Sequence, residues 1–145
     1  NDPAFQPGFP DADTTVQAAG LLYGVYDVTV LNDDGLPRLR HHVRAAMFDA
    51  DYEDDPDTWR AASPTWRLTA DAPPMFVVHG DRDEVVEVTT ARMFAQRARQ
   101  VMGRQFGYAE LPYAHHAFDF LPSPRARATA RALATFFETV RHQEP

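Results

Sequence analysis

The chain has 145 residues, 44% hydrophobic and 12% aromatic, which is one domain's worth and enough to bury a sizeable core. A net charge of -7 and a pI near 5.2 set its surface against nucleic acid and anionic membranes, and the absence of cysteine excludes disulfides and thiolate metal sites. No apolar run approaches the ~20 residues that cross a bilayer and no basic-then-apolar leader opens the chain, so the expectation is a cytoplasmic protein without a membrane span.

Strand and helix signals alternate along the chain. Residues 1–15 are rich in Pro, Asp and Gly and read as loop. Val16 to Val25, apolar with Gly20 and Gly24, suits a buried strand, and a loop follows to Pro37. Pro37 to Phe48 predicts a helix that leaves the sheet, with Leu39, Val43, Ala46 and Met47 near one face. Asp49 to Asp57 holds six acids in nine positions. A calcium loop starting there would need glycine and glutamate where Asp54 and Arg60 stand, so a solvated loop is expected. Pro56 to Ala62 reads as a short helix closed by Ser63-Pro64. Pro74 to His79 predicts a strand covered on both faces, because Met75, Phe76, Val77 and Val78 form a continuous apolar run. Thr89 to Met102 predicts a helix burying Met93, Phe94, Ala98 and Val101 and ended by Gly103. Phe106 to Leu111 is a further strand, and Pro124 to Val140 a last helix with Ala130, Leu133, Phe136, Phe137 and Val140 inward. The order implies a parallel sheet with right-handed crossovers, an α/β fold.

In such sheets the reactive groups gather in loops at the carboxyl ends of the strands. His79-Gly80-Asp81-Arg82-Asp83 follows one strand and Pro112 to His116 the next, so both loops share one end of the sheet. Neighbouring strands lie ~4.8 Å apart, within reach of a hydrogen bond between the two loops. A buried carboxylate on one imidazole nitrogen fixes the tautomer and stabilises the imidazolium formed when the other nitrogen takes a nucleophile's proton. Asp81 or Asp83 supplies the acid and His115 or His116 the base; Asp81, nearer the glycine, also suits a turn cap, and adjacent histidines diverge, so only one faces the acid. Asp119 is a second-choice acid. His79 is expected to hydrogen-bond within the strand end, and His41-His42 lack further ligands for a metal. Trp59, Trp66, Phe118 and Phe120 suit either an acyl pocket or the core.

His79-Gly80-Asp81-Arg82-Asp83-Glu84-Val85-Val86, followed about thirty residues later by Ala114-His115-His116-Ala117-Phe118, resembles the C-terminal part of an α/β-hydrolase of the esterase/lipase group that includes the hormone-sensitive-lipase-like carboxylesterases. Trp59 to Pro64 resembles the segment those enzymes carry between the cap insertion and the strand before the acid. The resemblance implies Asp83 as the catalytic acid, His116 as the base, a small-molecule ester as substrate and no cofactor. It implies one partial domain over residues 1–145, with three parallel strands, flanking helices, and residues 37–62 as part of a cap.

The nucleophile is missing. No Gly-x-Ser-x-Gly elbow occurs: Ser63 is flanked at two residues by Ala61 and Thr65, and Ser123 by Leu121 and Arg125. The resemblance therefore places the serine, the oxyanion hole and about five strands in an absent N-terminal half. That half is lost by truncation, supplied by another chain, or gone from a degenerate gene product, with truncation preferred, and the chain by itself is expected to be inactive. The strand at Val16 to Val25 would then have an unpaired edge open to another chain or a second copy. Two other readings remain: a fragment of a prolyl-oligopeptidase-like serine peptidase, which shares the His-Gly-x-x-Asp and later His pattern, and a non-catalytic remnant or interaction module.

Overall fold

A computed structural model describes residue 3, residues 6–30 and residues 39–142. Three parallel strands form the sheet in the order β1-β2-β3: β1 is Ala19–Leu22, β2 Met75–Gly80 and β3 Phe106–Leu111. The central position of β2 explains its uninterrupted apolar run, since Val77 and Val78 are 0% and 2% exposed and face opposite sides. Helix α4 (Val88–Met102) joins β2 to β3 on one face, and helix α5 (Pro124–Arg141) covers the other.

Side-chain alternation sorts the strands between these two helices. Leu21, Met75, Val77, Phe106 and Tyr108 pack with Ala91, Phe94, Ala95, Ala98 and Met102 of α4 in the main core. The ring of Phe94 stacks on Tyr26 at 4.5 Å and meets Phe106 edge-on at 6.0 Å. On the opposite face Phe76 meets Phe136 of α5 at 5.8 Å. Gly20 is open to α5 because a Cβ there would stand 2.7 Å from Leu133.

Between β1 and β2 the chain leaves the sheet for α1 (Leu39–Met47), α2 (Pro56–Ala61) and α3 (Pro64–Arg67). This excursion has its own small core. Trp59 is 1% exposed, stacks on Phe48 at 4.2 Å, and donates from its indole nitrogen to the carbonyl of Ala50 at 3.0 Å. Asp55 caps α2 by accepting from the amide of Thr58, so the acidic stretch both stays solvated and starts a helix.

The sequence expectations need four corrections. β1 spans only Ala19–Leu22 and is half-buried, with Val16 59% exposed. It is an edge strand among the described residues, and the backbone turns off the ladder at Tyr23, where φ is 37°. In α4 Met93 points outward, and Thr90, Ala91 and Ala95 take the inward positions beside Phe94 and Ala98. In α5 Thr129 is buried while Ala130 and Phe137 are exposed, because a single three-stranded face covers only a narrow stripe of that helix. The turn α3 was not expected; Pro64 starts it at the position where proline suits a first turn. Of the remaining expectations, the loop before Pro37 falls partly, and the start of the helix at Pro37 wholly, outside the described residues.

Phe94 anchors the packing of α4 on the sheet. Phe94→Ala should lower stability by about 3–5 kcal/mol, whereas Met93→Ala should change it by less than about 0.5 kcal/mol, both read from urea unfolding. Equal effects would contradict this assignment of the helix faces.

Candidate active site

The loops after β2 and β3 are laced together by backbone. The amide of Asp81 donates to the carbonyl of Leu111 at 3.1 Å, and that of Arg82 to the carbonyl of Ala114 at 3.0 Å. Asp81 returns the contact, its carboxylate accepting from the amide of Tyr113 at 2.6 Å. Gly80 makes this approach possible: a Cβ there would collide with the carbonyl oxygen of Ala114.

This lacing brings Asp83 to His116. The imidazole Nδ1 of His116 lies 2.9 Å from Oδ2 and 3.1 Å from Oδ1 of Asp83. The acid's side chain is fully buried and that of His116 is 26% exposed, so the pair combines a desolvated anion with a ring open to incoming groups. Oδ1 of Asp83 also accepts from the amides of Val85 at 2.9 Å and Val86 at 2.8 Å, an arrangement in which the carboxylate turns its own loop. Burial pushes the Asp83 carboxyl up, but donors from His79, Val86, His116 and Val85 outweigh it and bring the group down to about 2.

The backbone turns sharply on either side of the His115-His116 pair. Tyr113 and Ala117 adopt left-handed conformations, with φ of 56° and 53°. A small side chain tolerates that region better than a branched one, which gives a reason for alanine directly after His116.

The other candidates separate cleanly. Asp81 is the loop clasp described above. His115 points away from Asp83 and meets Glu84 at 3.0 Å on the surface. Asp119 accepts from the hydroxyl of Tyr23 at 3.0 Å. Ser63 is fully buried, its hydroxyl accepting from the amide of Val28 at 3.0 Å and donating to the carbonyl of Trp59 at 2.9 Å. Ser123 caps α5 by accepting from the amide of Ala126. Among the aromatics, Trp59 is core, Trp66 lies 56% exposed under Arg60, and Phe120 is 83% exposed. No group of three or more potential metal ligands occurs among the described residues.

Two participants escaped the sequence reading. The ring of Tyr23, just past the end of β1, packs on His116 with centroids 4.6 Å apart and meets Phe118 edge-on at 5.7 Å. The imidazole of His79 lies 3.3 Å from Oδ2 of Asp83. The position of Tyr23 at a strand's carboxyl end was a usable signal; the reach of His79 to the acid was not.

A family model described as BD-FAE matches residues 4–98, a span that includes Asp83 but stops short of His116. Esterase LipQ of Mycobacterium tuberculosis is 42% identical over 143 residues, covering 97% of this chain and 33% of that protein. The probable carboxylic ester hydrolase LipM of the same organism is 45% identical over 140 residues, covering 97% and 32%. The chain thus spans about a third of the length of these relatives. Among solved structures, a truncated carbohydrate esterase from gut microbiota superposes with a TM-score of 0.73 at 18% identity, over 92% of this chain and 46% of that one. Esterase 2 of Thermogutta terrifontis, phosphoramylated by tabun, gives 0.65 at 24% identity, over 94% and 47%. The fold is therefore that of the C-terminal part of an α/β-hydrolase, as the two loop motifs implied.

The Asp83 contact has a consequence for acid stability. Its carboxyl is depressed in the folded state, so the stabilisation is complete above the unfolded value of ~3.9 and is lost as pH falls toward the folded value of about 2. Asp83→Asn should therefore cost on the order of 2 kcal/mol at pH 7 and should remove that part of the acid-induced loss, as read from urea midpoints between pH 6 and 2. A wild-type midpoint that falls no further than that of the variant over this range would contradict the geometry. Gly80→Ala, which forces the loops apart, should destabilise by about 1–3 kcal/mol in the same assay.

Proposed function

The chain belongs to the BD-FAE family, and on that footing we propose that it is the acid- and base-bearing part of a serine carboxylic-ester hydrolase. The observation that carries the proposal is the 2.9 Å contact between Nδ1 of His116 and Oδ2 of Asp83. With Nδ1 engaged, Nε2 is the nitrogen that takes a proton. In the complete site a serine hydroxyl attacks the ester carbonyl, His116 accepts its proton and then delivers it to the leaving alcohol, and Asp83 orients the ring and offsets its transient charge.

The nucleophile is assigned to polypeptide outside these residues. Ser63 is fully buried and hydrogen-bonded within the excursion, and Ser123 is committed to a helix cap. The share of the relatives' length that the chain spans is consistent with the missing part. The half-buried edge of β1 and the apolar groove of about 550 Å³ beside it, lined by Leu21, Val25, Leu68, Met75 and Phe94 among others, are where that part would pair and pack. The separate core around Trp59 supports assigning residues 37–62 to a cap insertion within one partial domain. Relatives named as esterases and as a carboxylic ester hydrolase favour ester over peptide as the substrate class, so the prolyl-peptidase alternative is not favoured.

Two experiments test this. The 145-residue chain by itself should hydrolyse no nitrophenyl ester and should not be labelled by a fluorophosphonate; stoichiometric labelling of Ser63 or Ser123 would contradict the assignment. In a longer polypeptide that supplies the nucleophile, Asp83→Asn should lower kcat by roughly 10⁴-fold and His116→Ala by at least as much, measured with a nitrophenyl ester. A fully active His116→Ala enzyme would end the proposal and favour the non-catalytic reading.

A further inference from the structure

We propose that His79 is a positioning residue for the acid, donating from Nε2 to the carboxylate oxygen of Asp83 that also receives His116. Its catalytic meaning rests on the ester-hydrolase reading; its geometry does not.

His79 is the penultimate residue of β2 and is completely buried. Nε2 lies 2.9 Å from the carbonyl oxygen of Val86 and 3.3 Å from Oδ2 of Asp83. A carbonyl oxygen can only accept, so Nε2 carries the hydrogen; Val86 is its nearer acceptor, and in the proposed arrangement Oδ2 of Asp83, 3.3 Å away, is a second, longer one. Nδ1 points the same way: it is buried without a partner among the described residues, and an N–H there would be a desolvated, unsatisfied donor. The Val86 contact fixes one tautomer of the ring.

The two carboxylate oxygens of Asp83 are held differently. Oδ1 accepts from the amides of Val85 and Val86 and takes the longer, 3.1 Å contact of His116, whereas Oδ2 takes the shorter, 2.9 Å contact of His116 and faces His79. During turnover His116 becomes an imidazolium directed at this carboxylate. A second donor on Oδ2 makes the carboxylate less basic, so the proton stays on the ring and the acid remains an anion. His79 also holds the orientation of the carboxylate when the His116 ring moves. The other titratable groups packed here include Tyr23 against His116, Tyr26, whose ring lies 6.4 Å from that of His79, and Glu110, the register partner of His79 on β3.

The first test requires no substitution. Multiple-bond ¹H–¹⁵N spectra of the full chain should show His79 as the Nε2–H tautomer; the Nδ1–H tautomer would overturn the proposal, since it offers Asp83 no hydrogen. The second follows the Asp83 side-chain ¹³C resonance through an acid titration in His79→Leu and His79→Gln. The leucine variant should raise the midpoint by about one pH unit, a tenfold gain in proton affinity. The glutamine variant, whose amide nitrogen can stand near the position of Nε2, should restore it to within a few tenths. A folded leucine variant with an unmoved midpoint, or a glutamine variant that shifts equally far, would overturn the proposal. If neither variant folds, the unsubstituted chain decides: the His79 Hε2 resonance should shift as Asp83 is protonated at the acid end of the titration, and an unmoved resonance would overturn the proposal. Neither measurement reads ester hydrolysis, so a failure of the proposed activity leaves both results interpretable.

Discussion

The site depends on how closely two neighbouring loops can approach at the carboxyl end of the sheet. Gly80 abuts the carbonyl of Ala114, and two backbone hydrogen bonds with one aspartate clasp close the rest of the seam. Asp83 and His116 are separated by 33 positions along the chain, yet each is only a few residues beyond this seam. Their contact is therefore made by a rigid parallel pair of strands, which is a more exact scaffold than a long loop could provide.

The buried carboxylate sets the second constraint. An anion sealed from water is costly unless its lone pairs are filled. Here they are filled by two backbone amides and two imidazoles, those of His116 and His79. The same bonds that make burial of the charge tolerable also fix the direction in which it faces. Tyr23 completes the surround: its ring rests on His116 and its hydroxyl reaches Asp119, tying the edge strand β1 to the loop that carries His116. Burial and the neighbouring Asp119 both raise the pKa of that tyrosine, so it stays a neutral donor.

Much of this was legible in the sequence because the relevant signals are local. The continuous apolar run at Met75 to Val78 and the alternation at Phe106 to Leu111 identify strands, and the charged segment after Gly80 and the Pro-bearing segment after Leu111 identify loops at one end. Choosing Asp83 over Asp81, and His116 over His115, required the family resemblance; the coordinates bring those two together and send the others to the Tyr113 amide and to Glu84. What stayed hidden depends on packing between distant segments. Periodicity could not say that Met93 and Phe137 face outward, since that follows from how narrow the covering sheet is. Nor could it show that Tyr23 reaches a histidine 93 positions later, or that the histidine of His-Gly-x-x-Asp turns back toward the acid.

A double-mutant cycle between Asp83 and His116 tests the central contact most directly. The amide and His79 contacts to Asp83 are present or absent in the same way on both legs of the cycle, so they cancel and only the pair remains. Combining Asp83→Ala with His116→Ala in urea unfolding at pH 7 should reveal a coupling of about 1–3 kcal/mol, the range of a hydrogen bond to a charged group. Strictly additive losses would mean that the carboxylate and the imidazole do not meet, and the site described here would not exist.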